Sequence, residues 1–287
     1  MPVNGLAFIK MQAVGNDFVL VDHAAGEEVG RDWPRLAVAL CDRRLGVGGD
    51  GLLVVGPSRV ADARMRMFNP DGTEDMCGNG LRCVIHHAHT AGRLPATGAI
   101  ETLAGVRDYQ VQAGGTITTG MGVPRFAPAD LPMTVPGLRV FDFPLPLEDD
   151  LLCVSVVSTG TTHTVVFVDE LPDEERFLRL SPRGENHPLF PERTSVLWTV
   201  AEPPNTLRLR IWERGAGETL GCGTGACAAA VLARVQGKIN GVGPVAVASK
   251  GGTLHVDWAG GANDAIFLTG RAHVVYAGHV AAPLLAR

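Results

Sequence analysis

Short apolar segments that alternate with polar residues recur along the whole chain, and their period of two is typical of β-strands with one buried face. Turn-forming residues such as Gly, Asn, Asp and Pro separate these segments. The pattern predicts strands over residues 6–11, 18–22, 52–55, 64–69, 109–111, 153–157, 164–168, 196–200, 206–212, 245–248, 253–258 and 273–276.

Helical periodicity is confined to residues 33–41, 78–89 and 226–236. The last segment is apolar on all sides, and a helix without a polar face is surrounded by other structure. We therefore expect an α+β fold of two similar domains, each a curved, mainly antiparallel sheet wrapped around a central helix, with an active site in the cleft between them. The predicted domains are residues 1–122 with 271–287, and residues 123–270.

The same pattern, Cys-Gly-x-Gly, begins at Cys77 and again at Cys222, in each case at the start of a predicted helix. Unpaired N–H groups and the positive end of the helix dipole favour a thiolate at this position, and they favour a bound carboxylate as well. Two such segments facing each other would hold an amino acid between two sulfurs. One sulfur would remove a proton and the other would return one to the opposite face.

Composition is typical of a globular protein that is large enough for two domains, with 287 residues, 46% apolar and 19% charged. The net charge of −5 gives no reason to expect nucleic acid or an anionic membrane as a partner. The first residues lack the features of a secretion signal, so we expect a cytoplasmic protein. In that compartment the six cysteines are interpreted as reduced thiols, and none forms a Cys-x-x-Cys pair.

The order of several motifs resembles the diaminopimelate epimerase family, which shares a fold group with proline racemase. The matching segments are Gly15-Asn16-Asp17-Phe18, Cys41-Asp42-Arg43 with Gly46-Val47-Gly48, Asn69 with Asp71-Gly72, Cys77-Gly78-Asn79-Gly80, Ser158 with Gly160 and His163, Phe190-Pro191-Glu192-Arg193-Thr194, and residues 213–219 followed by 222–227. They cover nearly the whole chain. The resemblance implies a two-base isomerase that interconverts LL- and meso-diaminopimelate for lysine and cell-wall synthesis, without a cofactor.

The resemblance also implies roles for individual residues. Cys77 and Cys222 are the thiol and thiolate pair, and His163 and Glu213 assist them in catalysis. The implied substrate-binding residues are Asn16, Asn69, Gly78, Asn79, Thr161, Ser195, Arg214, Gly223 and Thr224. Tyr276 matches a residue at the contact of a homodimer. The expected partner is a small-molecule amino-acid substrate, and no metal is expected.

Two departures from the family pattern concern the specificity pocket. Thr161 stands where the family usually has Asn, in Gly160-Thr161-Thr162-His163, and Ser195 replaces a second Asn. By the resemblance, both missing amides recognise the distal amino-acid group. The segment from Asn69 to Cys77 is also one residue shorter than usual. A racemase or epimerase with the same mechanism but a different amino-acid substrate is therefore the second hypothesis.

Interpretations from other classes are a thiol-dependent redox sensor and an amino-acid-binding protein without catalysis. Cys83, His86 and His89 lie three apart on a predicted helix and are candidates for metal ligands, but a fourth ligand is missing. The acidic residues 149–150 and the segment 173–176 are interpreted as solvated turns or helix starts. Incorporation of solvent deuterium at an α-carbon distinguishes an epimerase or racemase from the other two classes.

Overall fold

A computed structural model describes residues 5–23, 31–135, 137–148, 150–281 and 284. The chain divides into two compact units, Met1–Thr119 with Gly270–Arg287, and Gly120–Thr269. The boundaries predicted from the sequence were 122/123 and 270/271. Within the described residues, four α-helices accompany eighteen strands. The predicted α+β fold, rich in sheet and poor in helix, is confirmed.

The first unit contains two helices and a sheet that includes the first and the last strand of the chain. Its elements are α1 (Trp33–Cys41), α2 (Gly78–Thr90), β1 (Leu6–Ala13), β2 (Asn16–Asp22), β3 (Gly51–Gly56), β4 (Ala63–Phe68), β5 (Glu74–Asp75), β6 (Thr97–Thr102), β7 (Gly105–Val111), β8 (Ile117–Gly122), which continues into the second unit, and, near the end of the chain, β18 (His273–Val280).

The second unit contains the remaining elements and a short 3-10 turn, Pro128–Asp130. They are α3 (Glu174–Glu185), α4 (Gly223–Val235), β9 (Val140–Leu147), β10 (Asp150–Ser158), β11 (Thr162–Phe167), β12 (Ser195–Glu202), β13 (Thr206–Glu213), β14 (Gly217–Thr219), β15 (Val245–Ser249), β16 (Gly252–Asp257) and β17 (Ile266–Gly270).

The two units repeat the same strand pairing. In the first unit β18, β1, β2, β3, β4, β6 and β7 are neighbours in that order, and the β2–β3 and β4–β6 pairs are parallel while the others are antiparallel. In the second unit β9, β10, β11, β12, β13, β15 and β16 follow one another with parallel pairs at the same two places. The short strands β5 and β14 pair with β4 and β13. The helices also occupy equivalent places in the chain. Helices α1 and α3 each connect the strands of the first parallel pair, and α2 and α4 each lie between the strands of the second.

In the first unit the sheet is covered by helices on both faces. Leu20 and Leu53 belong to the core cluster that contains α2, whereas their neighbours Val19 and Leu52 belong to the cluster that contains α1. Because side chains alternate across a strand, both faces of β2 and β3 are buried. This burial explains why these strands are continuous apolar runs.

In the second unit α4 is the central helix, and nearly all of its residues are buried, as its apolar sequence predicts. It contacts β10, β11, β12, β13, β15 and β16. The helix begins at Gly223, three residues before the predicted start, because the glycines that suggested a loop are part of its first turn.

Helix α3 is longer than the sequence predicted. Residues 173–176 were interpreted as a turn or a helix start, and the structure continues the helix to Glu185, with the Asp173 side chain accepting from the Arg176 N–H. The helix is mostly polar, but it has a narrow apolar stripe that packs on the sheet and consists of Phe177 and Leu180. Asp149, which was grouped with Asp150, lies outside the described residues.

Six strands, β5, β6, β8, β9, β14 and β17, were not predicted. Strand β9 contains Pro144 and Pro146, which cannot donate to a ladder, and its described pairing is with β10 alone. None of the described helices combines the length and hydropathy that crossing a membrane requires.

Adjacent leucines on β10 provide a test of the core. Leu152 is 3% exposed and packs in the cluster that contains α3, whereas Leu151 is 67% exposed. We expect Leu152→Ala to lower the free energy of unfolding by about 2–5 kcal/mol, because it removes buried methyl groups and leaves a cavity. Leu151→Ala should change it by less than about 0.5 kcal/mol. Urea unfolding measures both values, and equal losses would contradict the assigned strand register.

Candidate active site

The Cys77 side chain caps the central helix of the first unit. Cys77 has extended backbone angles, φ −130° and ψ 119°, and its half-buried Sγ accepts the N–H of Gly80 at 3.5 Å. A Cβ at Gly80 would lie 2.7 Å from Cδ2 of Leu53, so glycine lets the helix pack closely on β3 without displacing that side chain. The thiol therefore occupies the place of an ordinary N-cap side chain.

The Cys222 side chain caps the central helix of the second unit in the same way. Its backbone angles are φ −127° and ψ 119°, and its buried Sγ accepts the N–H of Gly225 at 3.3 Å. The sulfur also lies 3.4 Å from the Thr224 hydroxyl. A Cβ at Gly225 would lie 3.1 Å from Cδ2 of Leu197 on β12.

The shared geometry gives the two sulfurs the same chemical setting. An N–H that donates to sulfur and the positive end of the helix dipole both stabilise a thiolate relative to a thiol. The remaining N–H groups in the first turn, which include those of Gly78 and Asn79 or of Gly223 and Thr224, favour an anion. Each helix start thus combines a nucleophilic or basic sulfur with donors for a carboxylate.

Two of the predicted binding residues of the first unit are joined by their side chains. Asn79 is buried on the first turn of α2, and its Nδ2 donates to Oδ1 of Asn16 at the start of β2. Asn69 lies in the turn after β4 and donates to the Thr73 hydroxyl at 3.0 Å. Among the described residues, no hydrogen bond connects Asn69 with Asn16 or Asn79.

A second cluster brings together four predicted residues of the second unit. His163 and Ser195 are register partners on the parallel strands β11 and β12. The Thr161 hydroxyl lies 3.1 Å from Nε2 of His163, and the Ser195 hydroxyl accepts the backbone N–H of Arg214 at 3.1 Å. Both hydroxyls are therefore engaged with protein groups.

Glu213 ends β13, and its Oε1 accepts from the Thr219 hydroxyl at 2.5 Å. Thr219 ends β14, three residues before Cys222. The hairpin between β13 and β14 thus ties Glu213 to the segment that enters α4.

One buried carboxylate in this region was missed from the sequence. Glu185, at the end of α3, accepts from Trp212 Nε1 at 2.6 Å, from the Gly215 N–H at 2.8 Å and from Arg193 at 3.1 Å. It links the loop before β12 to the loop after β13. No sequence motif indicates a role for Glu185, because its partners are distant in sequence and its own segment is predominantly polar.

The predicted dimer residue Tyr276 lies on β18 and is 46% exposed. Its ring packs edge-on against Phe8 at a centroid distance of 5.9 Å. Of the candidate metal ligands, Cys83 is fully buried and His89 bonds the Leu94 carbonyl through Nδ1 at 2.9 Å. Within the described part of the chain, no three His, Cys, Asp or Glu side chains are grouped as a metal site.

Comparison with known proteins places the chain in a family. A sequence model described as diaminopimelate epimerase matches residues 8–127 and 155–275. Proteins of that name from Desulfitobacterium hafniense and Pelotomaculum thermopropionicum are 40% and 41% identical to this chain over 280 and 277 residues, covering 95% and 94% of it and 97% of each relative. The chain belongs to the diaminopimelate epimerase family.

Solved structures with the same fold have little sequence in common with this family member. A hydroxyproline epimerase from Agrobacterium vitis is 16% identical with a TM-score of 0.70, covering 96% of this chain and 91% of its own. A PhzF-family phenazine biosynthesis protein from Bacillus anthracis is 23% identical with a TM-score of 0.69, covering 96% and 98%. These similarities concern the fold alone.

His163 of this diaminopimelate epimerase family member is completely buried. Burial, and then the positive charge of Arg214, lower the pKa of its imidazole to about 3. The ring is therefore neutral in the folded protein at physiological pH. A neutral ring has one N–H donor and one acceptor nitrogen, so it can donate one hydrogen bond and accept another.

This shift predicts a loss of stability in acid. An unfolded histidine binds a proton near pH 6.5, whereas the folded His163 remains neutral to about pH 3. The contribution of His163 to stability is complete above pH 6.5 and is lost as pH falls through this window. The slope approaches about 1.4 kcal/mol per pH unit.

Urea unfolding between pH 4 and 7 should show this slope in wild type and a smaller one in His163→Gln. The matched control His255→Gln, at an exposed ring, should keep the wild-type slope, and identical slopes in all three proteins would contradict the shift.

Proposed function

We propose that this protein interconverts LL- and meso-diaminopimelate in the cytoplasm, in the route to lysine and cell-wall precursors, and that it needs no cofactor. The observation that carries the proposal is the repeated helix cap, in which Cys77 and Cys222 have the same backbone angles and the same N–H···S bond. The family membership of the chain and the identity of about 40% to proteins named diaminopimelate epimerase support the substrate.

Inversion at an α-carbon needs a base on one face and an acid on the other. In the proposed reaction one sulfur, as thiolate, takes the α-proton, and the other sulfur, as thiol, donates its proton to the opposite face of the carbanion. The first sulfur ends as a thiol and the second as a thiolate, so the exchanged pair is ready for the reverse reaction. Charge that develops on the α-carboxylate is stabilised by N–H groups of Gly78, Asn79, Gly223 and Thr224.

The supporting residues have assigned roles in the proposal. His163 and Glu213 assist the thiols. His163 acts as a neutral hydrogen-bonding group, because an imidazole with a pKa of about 3 does not take a proton from a thiol, and Glu213 is bonded to the segment that leads to Cys222. Asn16 and Asn69 contact the substrate. Arg214 and Glu213 bind the distal amino-acid group together with Thr161 and Ser195.

A second candidate is the same reaction on a different amino acid. The observation that favours it is the engagement of both replaced side chains within the protein, since Thr161 bonds His163 and Ser195 bonds the Arg214 backbone. A hydroxyl used in this way has less capacity for a distal ammonium or carboxylate than an amide that reaches into the pocket. The catalytic thiols are common to both candidates.

We also propose a homodimer that buries β18. Val274, Val275 and Tyr276 are consecutive residues on this strand and are 52%, 55% and 46% exposed. A strand that exposes apolar residues in succession is suited to contact a second chain. Tyr276, whose ring packs edge-on against Phe8, supplies an aromatic residue of the type that is enriched in such contacts.

Replacement of either thiol tests the mechanism. Cys77→Ser and Cys222→Ser should each lower the rate of LL-diaminopimelate epimerisation by about 10²–10⁴-fold, because a hydroxyl is a far weaker base than a thiolate. Cys153→Ser, at an exposed cysteine of β10, is the control and should retain the wild-type rate. NMR in deuterium oxide follows label at the α-carbon. A wild-type protein that incorporates no deuterium would support a redox sensor or a binding protein instead.

Restoration of the two amides tests the substrate. If diaminopimelate is the substrate, Thr161→Asn with Ser195→Asn should lower its KM by about tenfold or more, because each new amide adds a contact to a charged group. If the pocket serves another amino acid, the double variant should lose activity on that substrate and gain none on diaminopimelate. Steady-state kinetics of both proteins across a panel of amino acids separates the two results.

A further inference from the structure

Four polar side chains of the first unit form a continuous chain of hydrogen bonds beside Cys77. Arg82 Nη2 donates to Oδ1 of Asn79, and Nδ2 of Asn79 donates to Oδ1 of Asn16. Nδ2 of Asn16 then donates to Oδ2 of Asp50 at 3.2 Å. This relay connects the interior of α2 to the loop before β3.

The two ends of the relay determine its direction. An arginine side chain has donors only, and an ionised carboxylate has acceptors only. Asn79 must therefore turn its oxygen toward Arg82 and its nitrogen toward Asn16. Asn16 in turn must place its oxygen toward Asn79 and its nitrogen toward Asp50. If either amide were reversed, two donors or two acceptors would face each other.

Burial holds one end of the relay in place, and further contacts hold the other. Arg82 is completely buried on α2. Asp50 accepts the Asp17 backbone N–H at 3.1 Å and a bond from Arg43 at 2.7 Å. Burial alone would raise the pKa of the neighbouring Asp17, but hydrogen bonds from Arg43 and Lys10 outweigh burial and lower the pKa to about 2. The Asp50 end thus lies in a network of ion-paired side chains.

The orientation of Asn16 decides what it offers to a ligand. Its amide is half-buried, and one of its two Nδ2 hydrogens bonds Asp50. The other hydrogen is not used by any residue that the structure describes. Asn16 therefore presents an N–H donor next to Asn79, two residues after Cys77, where the first N–H groups of α2 also favour an anion.

We propose that Asp50 and Arg82 are positioning residues, which fix the direction of the relay so that Asn16 presents an N–H, and not its carbonyl oxygen, to a carboxylate of the amino-acid substrate. The inference rests on the proposed function, and it adds two residues that do not touch the substrate. Reversal of the relay would turn a donor into an acceptor. A carboxylate would then be repelled at the same site.

The experiment reverses the relay by exchanging its groups. Asn79→Asp keeps the bond to Arg82 but places a carboxylate at each end of the Asn16 amide, and the NH2 group of Asn16 can face only one end. We expect the Tm to fall by roughly 5 °C or more and the KM to rise about tenfold or more. Adding Asp50→Asn lets Asn16 reverse, because Asn16 then donates to residue 79 and accepts from residue 50. The Tm should recover by at least about half of its loss, while the KM remains raised.

Asp50→Asn alone completes the cycle and keeps one acceptor oxygen for Asn16, so its KM should rise less than that of Asn79→Asp. Asn240→Asp, in an exposed loop of the second unit, is the control for the chemical change. Thermal unfolding is measured on the ligand-free proteins, and KM and kcat are measured with LL-diaminopimelate.

A split between recovered Tm and raised KM supports the positioning role. A KM that returns together with the Tm would show a purely structural relay and overturn the proposal. If the Tm change of the double variant equals the sum of the changes in Asn79→Asp and Asp50→Asn, no relay exists. If wild type does not epimerise LL-diaminopimelate, the proposed function fails, and the Tm cycle alone decides the relay, with additive changes overturning it.

Discussion

The burial of a helix N-terminus beneath a sulfur is the constraint on which the rest of this structure depends. A helix in the interior cannot leave its first N–H groups without acceptors, because water does not reach them all. In α2 and α4 the capping atom is a cysteine sulfur, which accepts a hydrogen bond from the backbone N–H of Gly80 or of Gly225. A Cβ would lie 2.7 Å from Leu53 at position 80 and 3.1 Å from Leu197 at position 225, so a larger residue at either position would displace its leucine. The packing of the helix therefore determines the place of the sulfur.

The repetition of the fold extends this constraint to both halves of the chain. Each unit has parallel pairs at the same two places in its strand order, and its thiol-capped helix follows a short strand, β5 or β14, at the same point. Equivalent connections lead to equivalent cap geometry. Equivalent cap geometry gives each sulfur an N–H donor and the positive end of a helix dipole, which the proposed exchange of roles between thiol and thiolate needs.

Buried polar groups maintain the surroundings of the thiols, and their environments differ between the units. In the first unit, charged ends orient the two amides of the relay from Arg82 to Asp50. In the second unit, Glu185 joins two loops and burial keeps His163 neutral. Buried polar groups are costly unless they are bonded. The site therefore depends on partners that are distant from it in sequence.

Local sequence determined the elements whose signal lies within a few residues. Helix α1 has the predicted limits, and the Cys-Gly-x-Gly segments predict both caps because capping involves neighbours only three residues apart. The α+β class followed from the mixture of short alternating segments with one wholly apolar helix. The family membership was also evident from motifs in order along the chain. Only the start of helix α3 was indicated, and strands such as β9 were missed, because their apolar stripes are narrow or interrupted by proline.

Tertiary structure alone decided how distant side chains are paired. The bond from Asn16 to Asp50 joins residues 34 positions apart, and that from Trp212 to Glu185 joins residues 27 apart. The direction of an amide, the neutrality of His163 and the use of the Thr161 hydroxyl by His163 depend on which groups the fold brings within hydrogen-bond distance. A hydrogen bond acts over about 3 Å in space regardless of separation along the chain, and no local pattern of residues encodes that distance.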